Sequence, residues 1–258
     1  MSSTGAGYDS SAGQYSPDGR VFQVEYAQKA VDNSGSVMAV RCSDGIVMGV
    51  EKLLISKMLV EGTGRRLHSI DTHVGIGTAG LQADGRGMIA RARSEARSYR
   101  SNYGMPIPPS VLSQRLAGVM HQHTTGYGRP IGCSAIIIGR DEDKKDTELY
   151  MVEPSGIAFR YFGCAAGKGR QAAKTEIEKD KLFDRTCAEV CNDIAKILAK
   201  LHDEANNKPY ELELSWVCEA TGWKHELVPK AVRDAAVQWA KDKLEEEEME
   251  DDDDDDDE

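Results

Sequence analysis

Residues 37–50 read VMAVRCSDGIVMGV. Two apolar runs, 37–40 and 46–50, flank Asp44 and Gly45, a dipeptide suited to the positive φ angles of a tight hairpin turn. Strands joined this closely pair antiparallel. Beyond them, 74–79 reads as another strand. A helix follows with Ile89, Ala92, Ala96, Tyr99 and Tyr103 on one face, stopped by Pro106, Pro108 and Pro109. A second helix sets Leu112, Leu116, Val119, Met120 and His123 along one side. Strands return at 135–138, 149–152 and 158–162, with PSG at 154–156 as a turn. Helices come next at 170–181 and from Thr186, where Thr186 and Glu189 form a capping box. Val190, Ile194, Ile197, Leu198 and Leu201 form the buried stripe of the latter. Leu212, Leu214 and Trp216 alternate with Glu211, Glu213 and Ser215, which predicts a strand. A last helix starts near Pro229 and buries Val232, Ala236, Trp239 and Ala240. Upstream of the hairpin, 20–31 is a short helix. The order is strands, two helices, strands, two helices. It predicts an α+β fold, a four-layer αββα sandwich with two antiparallel sheets between helix pairs.

The chain has 258 residues, 40% of them hydrophobic and 29% charged, which suits one soluble domain with a core of its own. No apolar run approaches the roughly 20 residues that span a bilayer, so no membrane association is expected. The N-terminal residues lack the basic start and apolar core of a secretory signal; cytoplasm and nucleus are the expected compartments. The six cysteines are scattered without a C-x-x-C pair and read as buried thiols of a reducing compartment. Residues 245–258, EEEEMEDDDDDDDE, carry 13 acidic side chains and no basic one, and without them the formal charge of −11 becomes +2. Such a block repels itself and predicts a disordered acidic tail, either a solubility tail or an arm for basic partners. The near-neutral remainder offers no broad basic face for nucleic acid. Residues 1–16 are irregular and rich in Ser, Gly and Ala, yet Tyr8 and Tyr15 suggest that this segment docks somewhere. The expected division is therefore 1–16, 17–244 and 245–258.

GIGTAG at 75–80 matches the dinucleotide fingerprint G-x-G-x-x-G, but Glu95, where the acidic partner would fall, lies inside a helix. Close packing of a strand explains these glycines better. GCAAGK at 163–168 resembles a P-loop one residue short, with Gly169 where a Ser or Thr would hold magnesium. His121 and His123 point in different directions on a helix and make no metal pair. No G-x-S-x-G or H-E-x-x-H motif is present. No cofactor, metal site or catalytic residue is expected.

SPDGRVFQVEYA at 16–27 resembles the signature of proteasome alpha-type subunits. GLQADGR at 80–86, RPIG at 129–132 and EPSG at 153–156 are similar to further segments of that family. GKGRQAAKTE at 167–176 and ELELSWV at 211–217, with the acidic C-terminus, resemble one subtype within it. The resemblance covers about residues 5–244. It implies the sandwich of the N-terminal nucleophile hydrolases, in agreement with the layer order. It also implies a non-catalytic structural subunit of a threonine-type endopeptidase, the 20S proteasome, acting in ubiquitin-dependent and independent protein degradation. The implied partners are other alpha subunits in a seven-membered ring, catalytic beta-ring subunits and regulatory caps. By the same resemblance Tyr8, Asp9, Pro17 and Tyr26 form a gate cluster, and Arg66, Gly80 and Leu81 a pocket for regulator tails. Ser10 stands where many members have Arg, and Arg66 where they have Lys. Turn formation and packing account equally for Pro17 and Tyr26. A rival reading is an active N-terminal hydrolase with Ser36 as nucleophile. The segment before Ser36 is the alpha signature rather than a propeptide, however. Arg66, at the position of the catalytic lysine, stays protonated and cannot take its role. A second rival is an adaptor working through the acidic tail.

Overall fold

The computed structural model describes residues 7–60, 62–126, 128–202 and 209–255, for residues 248 and 250–255 the backbone alone. In chain order the elements are α1 (Phe22–Asp32), β1 (Val37–Arg41), β2 (Gly45–Leu53), β3 (Leu67–Asp71), β4 (Val74–Gly80), α2 (Gln82–Tyr103) and α3 (Pro109–Thr124). They continue with β5 (Cys133–Asp141), β6 (Asp146–Val152), β7 (Ala158–Arg160), β8 (Gly163–Ala166), α4 (Arg170–Lys179), α5 (Cys187–Leu201), β9 (Tyr210–Cys218), β10 (His225–Leu227) and α6 (Lys230–Asp255). The strands form two antiparallel five-stranded sheets, ordered β10-β9-β2-β1-β8 and β3-β4-β5-β6-β7. Four layers need three apolar interfaces, and the core divides accordingly. Val190, Ile194 and Leu198 of α5 pack on Met38, Val40 and Leu212 of the first sheet. Val37, Ile46, Met48, Ile136 and Leu149 fill the space between the sheets. Met88, Ala92, Leu112 and Leu116 of α2 and α3 cover Ile76, Cys133 and Ile137 of the second. The expected αββα sandwich is the observed one.

Local chemistry explains the elements. Asp44 and Gly45 do sit at the turn into β2, with Arg41 paired to Ile46, but neither takes a positive φ; glycine is needed at 45 because a Cβ there would lie 2.4 Å from Val217 O of β9. β2 and β5 are apolar on both faces because each is the middle strand of a sheet covered on both sides. Thr186 caps α5 through both halves of the predicted box. β3, β8 and β10 were not expected from the sequence. They are short, and two of them are half-polar, so neither alternation nor an apolar run marks them. β8 is the segment that resembles a P-loop. Two predicted core positions face outward: Tyr103 is 62% and Val232 37% exposed. Each lies near a helix terminus, beyond the sheet that covers the middle turns. The predicted disordered tail falls partly in α6, which is helical to Asp255. Lys243 and Glu246 pair along that helix, and Lys196 of α5 pairs with Glu247, ties that composition alone does not disclose. Residues 1–6 of the predicted N-terminal segment and 256–258 of the tail lie outside the described residues. Among the described residues no helix is long and apolar enough to cross a membrane.

Candidate functional site

The N-terminal segment meets α1 at Asp9 and the end of α3 at Gly13. Ser16, Pro17, Asp18 and Gly19 form a turn in which Gly19 N–H donates to Ser16 O at 2.9 Å and Arg20 N–H to Ser16 Oγ at 3.1 Å. Pro17 fits its second position, whose φ the ring presets. Tyr26 then projects from the first turns of α1 and its hydroxyl donates to Asp9 Oδ2 at 3.2 Å. Gln23 donates from its amide to Asp9 O. Two side chains of one helix face, three residues apart, thus hold Asp9 from both its carboxylate and its carbonyl. Phe22 stacks on Tyr26 at 6.3 Å, and Arg20 lies over Phe22 while pairing with Glu25 at 2.7 Å. Of the four predicted gate residues, Asp9 and Tyr26 are bonded to each other, and Pro17 lies in the turn that precedes α1. Tyr8 is exposed, and no bond joins it to them among the described residues. Gln23 and Arg20 belong to the cluster and were missed; both lie inside the 16–27 signature.

Pairing of β3 and β4 sets Arg66 opposite Thr78, two residues before Gly80. Thr78 N–H donates to Arg66 O at 3.3 Å, and Gly80 and Leu81 follow where β4 becomes α2. Gly80 adopts φ +116°, and a Cβ there would sit 2.3 Å from Gly132 O, so only glycine fits. Leu81 N–H bonds that same oxygen at 2.8 Å while its side chain stays 45% exposed. Asp84 ties the segments 80–86 and 129–132 together. Arg129 donates to it twice, at 2.6 and 2.8 Å, and Gly132 N–H at 2.8 Å. The Arg129 bonds hold this carboxyl below the usual range. Arg66 itself is turned inward. Burial lowers its pKa against the pull of Glu213 and Glu51, and its Nη1 is buried without a partner among the described residues.

Ser36, the residue of the rival catalytic reading, lies at the start of β1 and is 1% exposed. Its nitrogen is a peptide N–H that donates to Glu51 Oε2 at 3.1 Å, and its Oγ accepts from Gly169 N–H at 3.1 Å. Glu51 is bonded on its other oxygen to His202 Nδ1 at 2.8 Å. Lys52 pairs with Glu211 at 2.8 Å and Glu213 at 3.6 Å, while Glu213 also accepts from the Arg66 N–H at 3.0 Å. A basic catalyst would need a free amine at residue 36 and an unpaired lysine beside it. Here the Ser36 hydroxyl is buried against Gly169, and Lys52, on the opposite face of β2 from Glu51, is ion-paired. This network was not found in the sequence, because its members are spread from 36 to 213. The one local signal is the adjacent Glu51 and Lys52 at the end of an apolar strand. The cysteines offer no nucleophile in its place. All six are buried and unbridged, and burial pushes Cys133 and Cys164 up to about 12. Among the described residues no cluster of His, Cys, Asp and Glu is arranged to hold a metal ion.

The chain matches known proteins along nearly its whole length. Residues 8–30 match the N-terminal signature of A-type proteasome subunits, and residues 31–217 the general proteasome subunit family. The alpha type-3 proteasome subunit of Arabidopsis thaliana is 56% identical over 247 residues, 95% of this chain and 98% of that protein. The alpha type-3 subunit of Dictyostelium discoideum is 51% identical over 247 residues, 95% and 99% of the two chains. A probable alpha type-7 proteasome subunit of Saccharomyces cerevisiae is 40% identical over 251 residues, 95% and 86%.

Proposed function

The chain belongs to the proteasome alpha-subunit family and is a component of the 20S core, and from that premise we propose that it acts as a non-catalytic member of the seven-membered outer ring. In this reading it closes the chamber formed by the threonine-type catalytic beta subunits, gates the passage of substrates and docks regulatory caps, in ubiquitin-dependent and independent degradation alike. The observation that carries the non-catalytic part is the A-type signature matched over residues 8–30, which occupies the segment before Ser36 where a catalytic chain would carry a propeptide, while the Ser36 hydroxyl accepts a backbone N–H. The gating part rests on the Tyr26–Asp9 bond, which pins the N-terminal segment to a rigid helix. Regulator docking rests on Gly80 and Leu81, with Leu81 offering an exposed apolar side chain, while the Arg66 guanidinium is turned inward. Buried, unbridged thiols suit the cytoplasm and nucleus.

The test uses assembled 20S particles carrying this chain. Ser36→Ala leaves peptide hydrolysis unchanged. Asp9→Ala, by releasing the segment, raises basal hydrolysis up to about fivefold, the equivalent of one hydrogen bond of about 1 kcal/mol. Loss of one peptidase activity in the Ser36→Ala particle would restore the hydrolase reading. An unchanged basal rate in Asp9→Ala would remove Asp9 from the gate.

A further inference from the structure

Two unlike apolar surfaces stand open on this protein. The first is the loop leaving β2, LISKMLV at 54–60. Ile55, Met58 and Val60 are 87%, 94% and 74% exposed, and Leu59 is 49% exposed. Large side chains crowded this way on a surface mark a contact with another protein. The loop is shaped, not frayed. Leu54 N–H donates to Pro209 O at 2.8 Å, Met58 N–H to Ser56 Oγ at 3.1 Å and Thr63 Oγ1 to Val60 O at 2.7 Å. The second surface is a groove of about 470 Å³ between the N-terminal segment, α1 and the C-terminal end of α3. Tyr15, Val21, Val24, His121, Thr125 and Ser155 are among its walls.

The sheet order fixes where these two surfaces lie. β3 and β7 are the opposite edges of the second sheet. The loop leads into the start of β3, and Ser155 lies in the turn between the end of β6 and β7. The pairings Leu67 with Gly77, Ala79 with Ser134 and Ala135 with Val152 put the start of β3 and the end of β6 at the same end of that sheet. The end of the loop and the Ser155 wall of the groove therefore sit at one end of the second sheet, toward its opposite edges. A head-to-tail ring contact needs this arrangement: two different surfaces, one on each flank, that fit each other. Charge agrees with the fit. Lys57 is the one charged residue of the loop, while the described walls of the groove hold a carboxylate, Glu25, and no lysine or arginine. Glu25 is already held by Arg20, so Lys57 would meet a shared carboxylate at the rim.

Resting on the reading of this chain as a ring member, we infer that its 55–60 loop seats in the corresponding groove of the neighbouring alpha-type chain, with Met58 as the central apolar anchor. The occupant of this chain's own groove is then the matching loop of the neighbour on its other side.

A photo-reactive benzoyl-phenylalanine is introduced in place of Met58 in the full chain, 20S particles are purified from cells expressing it, and the irradiated particles are mapped by mass spectrometry. The expected crosslink joins residue 58 to a second alpha-type chain, within the stretches aligned with 13–25 or 121–125. Crosslinks that fall only on catalytic subunits or on another surface, or none at all, overturn the inference while leaving ring membership intact. Absence of the wild-type chain from particles purified in parallel overturns ring membership, and the inference with it. In parallel, Met58→Asp lowers the fraction of chain entering the particle on the order of tenfold or more, as loss of a central anchor does, whereas Met58→Leu does not. The free Met58→Asp chain keeps its circular dichroism, because the side chain is exposed in the monomer. Normal incorporation of Met58→Asp would also sink the inference.

Discussion

His225 shows how one residue couples the two sheets. It lies on β10 of the first sheet, and its ring packs over β4 of the second, where a Cβ at Gly75 would fall 2.0 Å from it. This explains the first glycine of GIGTAG. It makes room for an imidazole and cradles no phosphate, in keeping with the close strand packing expected there. His225 Nδ1 meets Ser69 Oγ at 2.8 Å, while Nε2 is buried without a partner among the described residues. Burial, helped by nearby His68, lowers its pKa to about 4. An unfolded histidine titrates near 6.5, so as pH falls the unfolded chain takes up this proton first. The contribution of His225 to stability is therefore flat above about pH 6.5, falls as pH drops toward about 4, and flattens again below. The full loss is at most about 3 kcal/mol. His225→Gln is expected to show a shallower decline in urea midpoint between about pH 7 and about pH 4.5 than the wild type. Equal declines in the two proteins would show that His225 does not carry this dependence. No local pattern signals this contact, because residues 75 and 225 meet only when the sheets stack.

At the level of elements, helix α5 is the best specified by local chemistry. Its cap, its first-turn Glu189 and its apolar stripe all agree. Burial places Val190, Ile194, Ile197 and Leu198 inward, as the 3.6-residue period predicts. Thr186→Ala removes the side-chain oxygen that accepts the Glu189 N–H and is expected to cost about 1 kcal/mol, read as a lower urea midpoint with an unchanged slope. Faster amide exchange confined to the first turn of α5 would accompany it, and full protection there would count against the cap. Strand β9 shows where such local reading stops. Its alternation of Leu212 and Leu214 with Glu211 and Glu213 signals a strand with one wet face. Yet Glu213 is 8% exposed and Ser215 fully buried. The polar face turns toward Lys52 and the backbone of Arg66 instead of water. Periodicity distinguishes two faces, but it does not say whether the polar one meets solvent or a buried cation.

The molecule as a whole combines a nearly neutral sandwich with an acidic end on α6. Acidic side chains one turn apart repel each other, and a run of them at a helix C-terminus opposes the helix dipole. The final turns of α6 therefore depend on anchorage, which Lys196 supplies through Glu247. Truncation after Leu244 is expected to leave ring incorporation and peptide hydrolysis unchanged while abolishing any salt-sensitive binding of basic proteins. Pull-downs from matched particles check this: retained binding places the basic-partner surface elsewhere, and failed incorporation makes the end a structural element. Residue order was enough to establish the succession of layers, the hairpin at Asp44 and Gly45, the α5 cap and the alpha-type signature. Each rests on side chains within a few turns or one hairpin, where spacing dictates geometry. Folding in three dimensions decided which edges β3, β7, β8 and β10 occupy, that Arg66 and Glu213 face inward, that Ser36 is bonded on both its nitrogen and its hydroxyl, and that an apolar loop and an apolar groove lie toward opposite edges of the second sheet. Most of those relations join residues far apart in the chain, and they arise only when two sheets must bury their inner faces against each other.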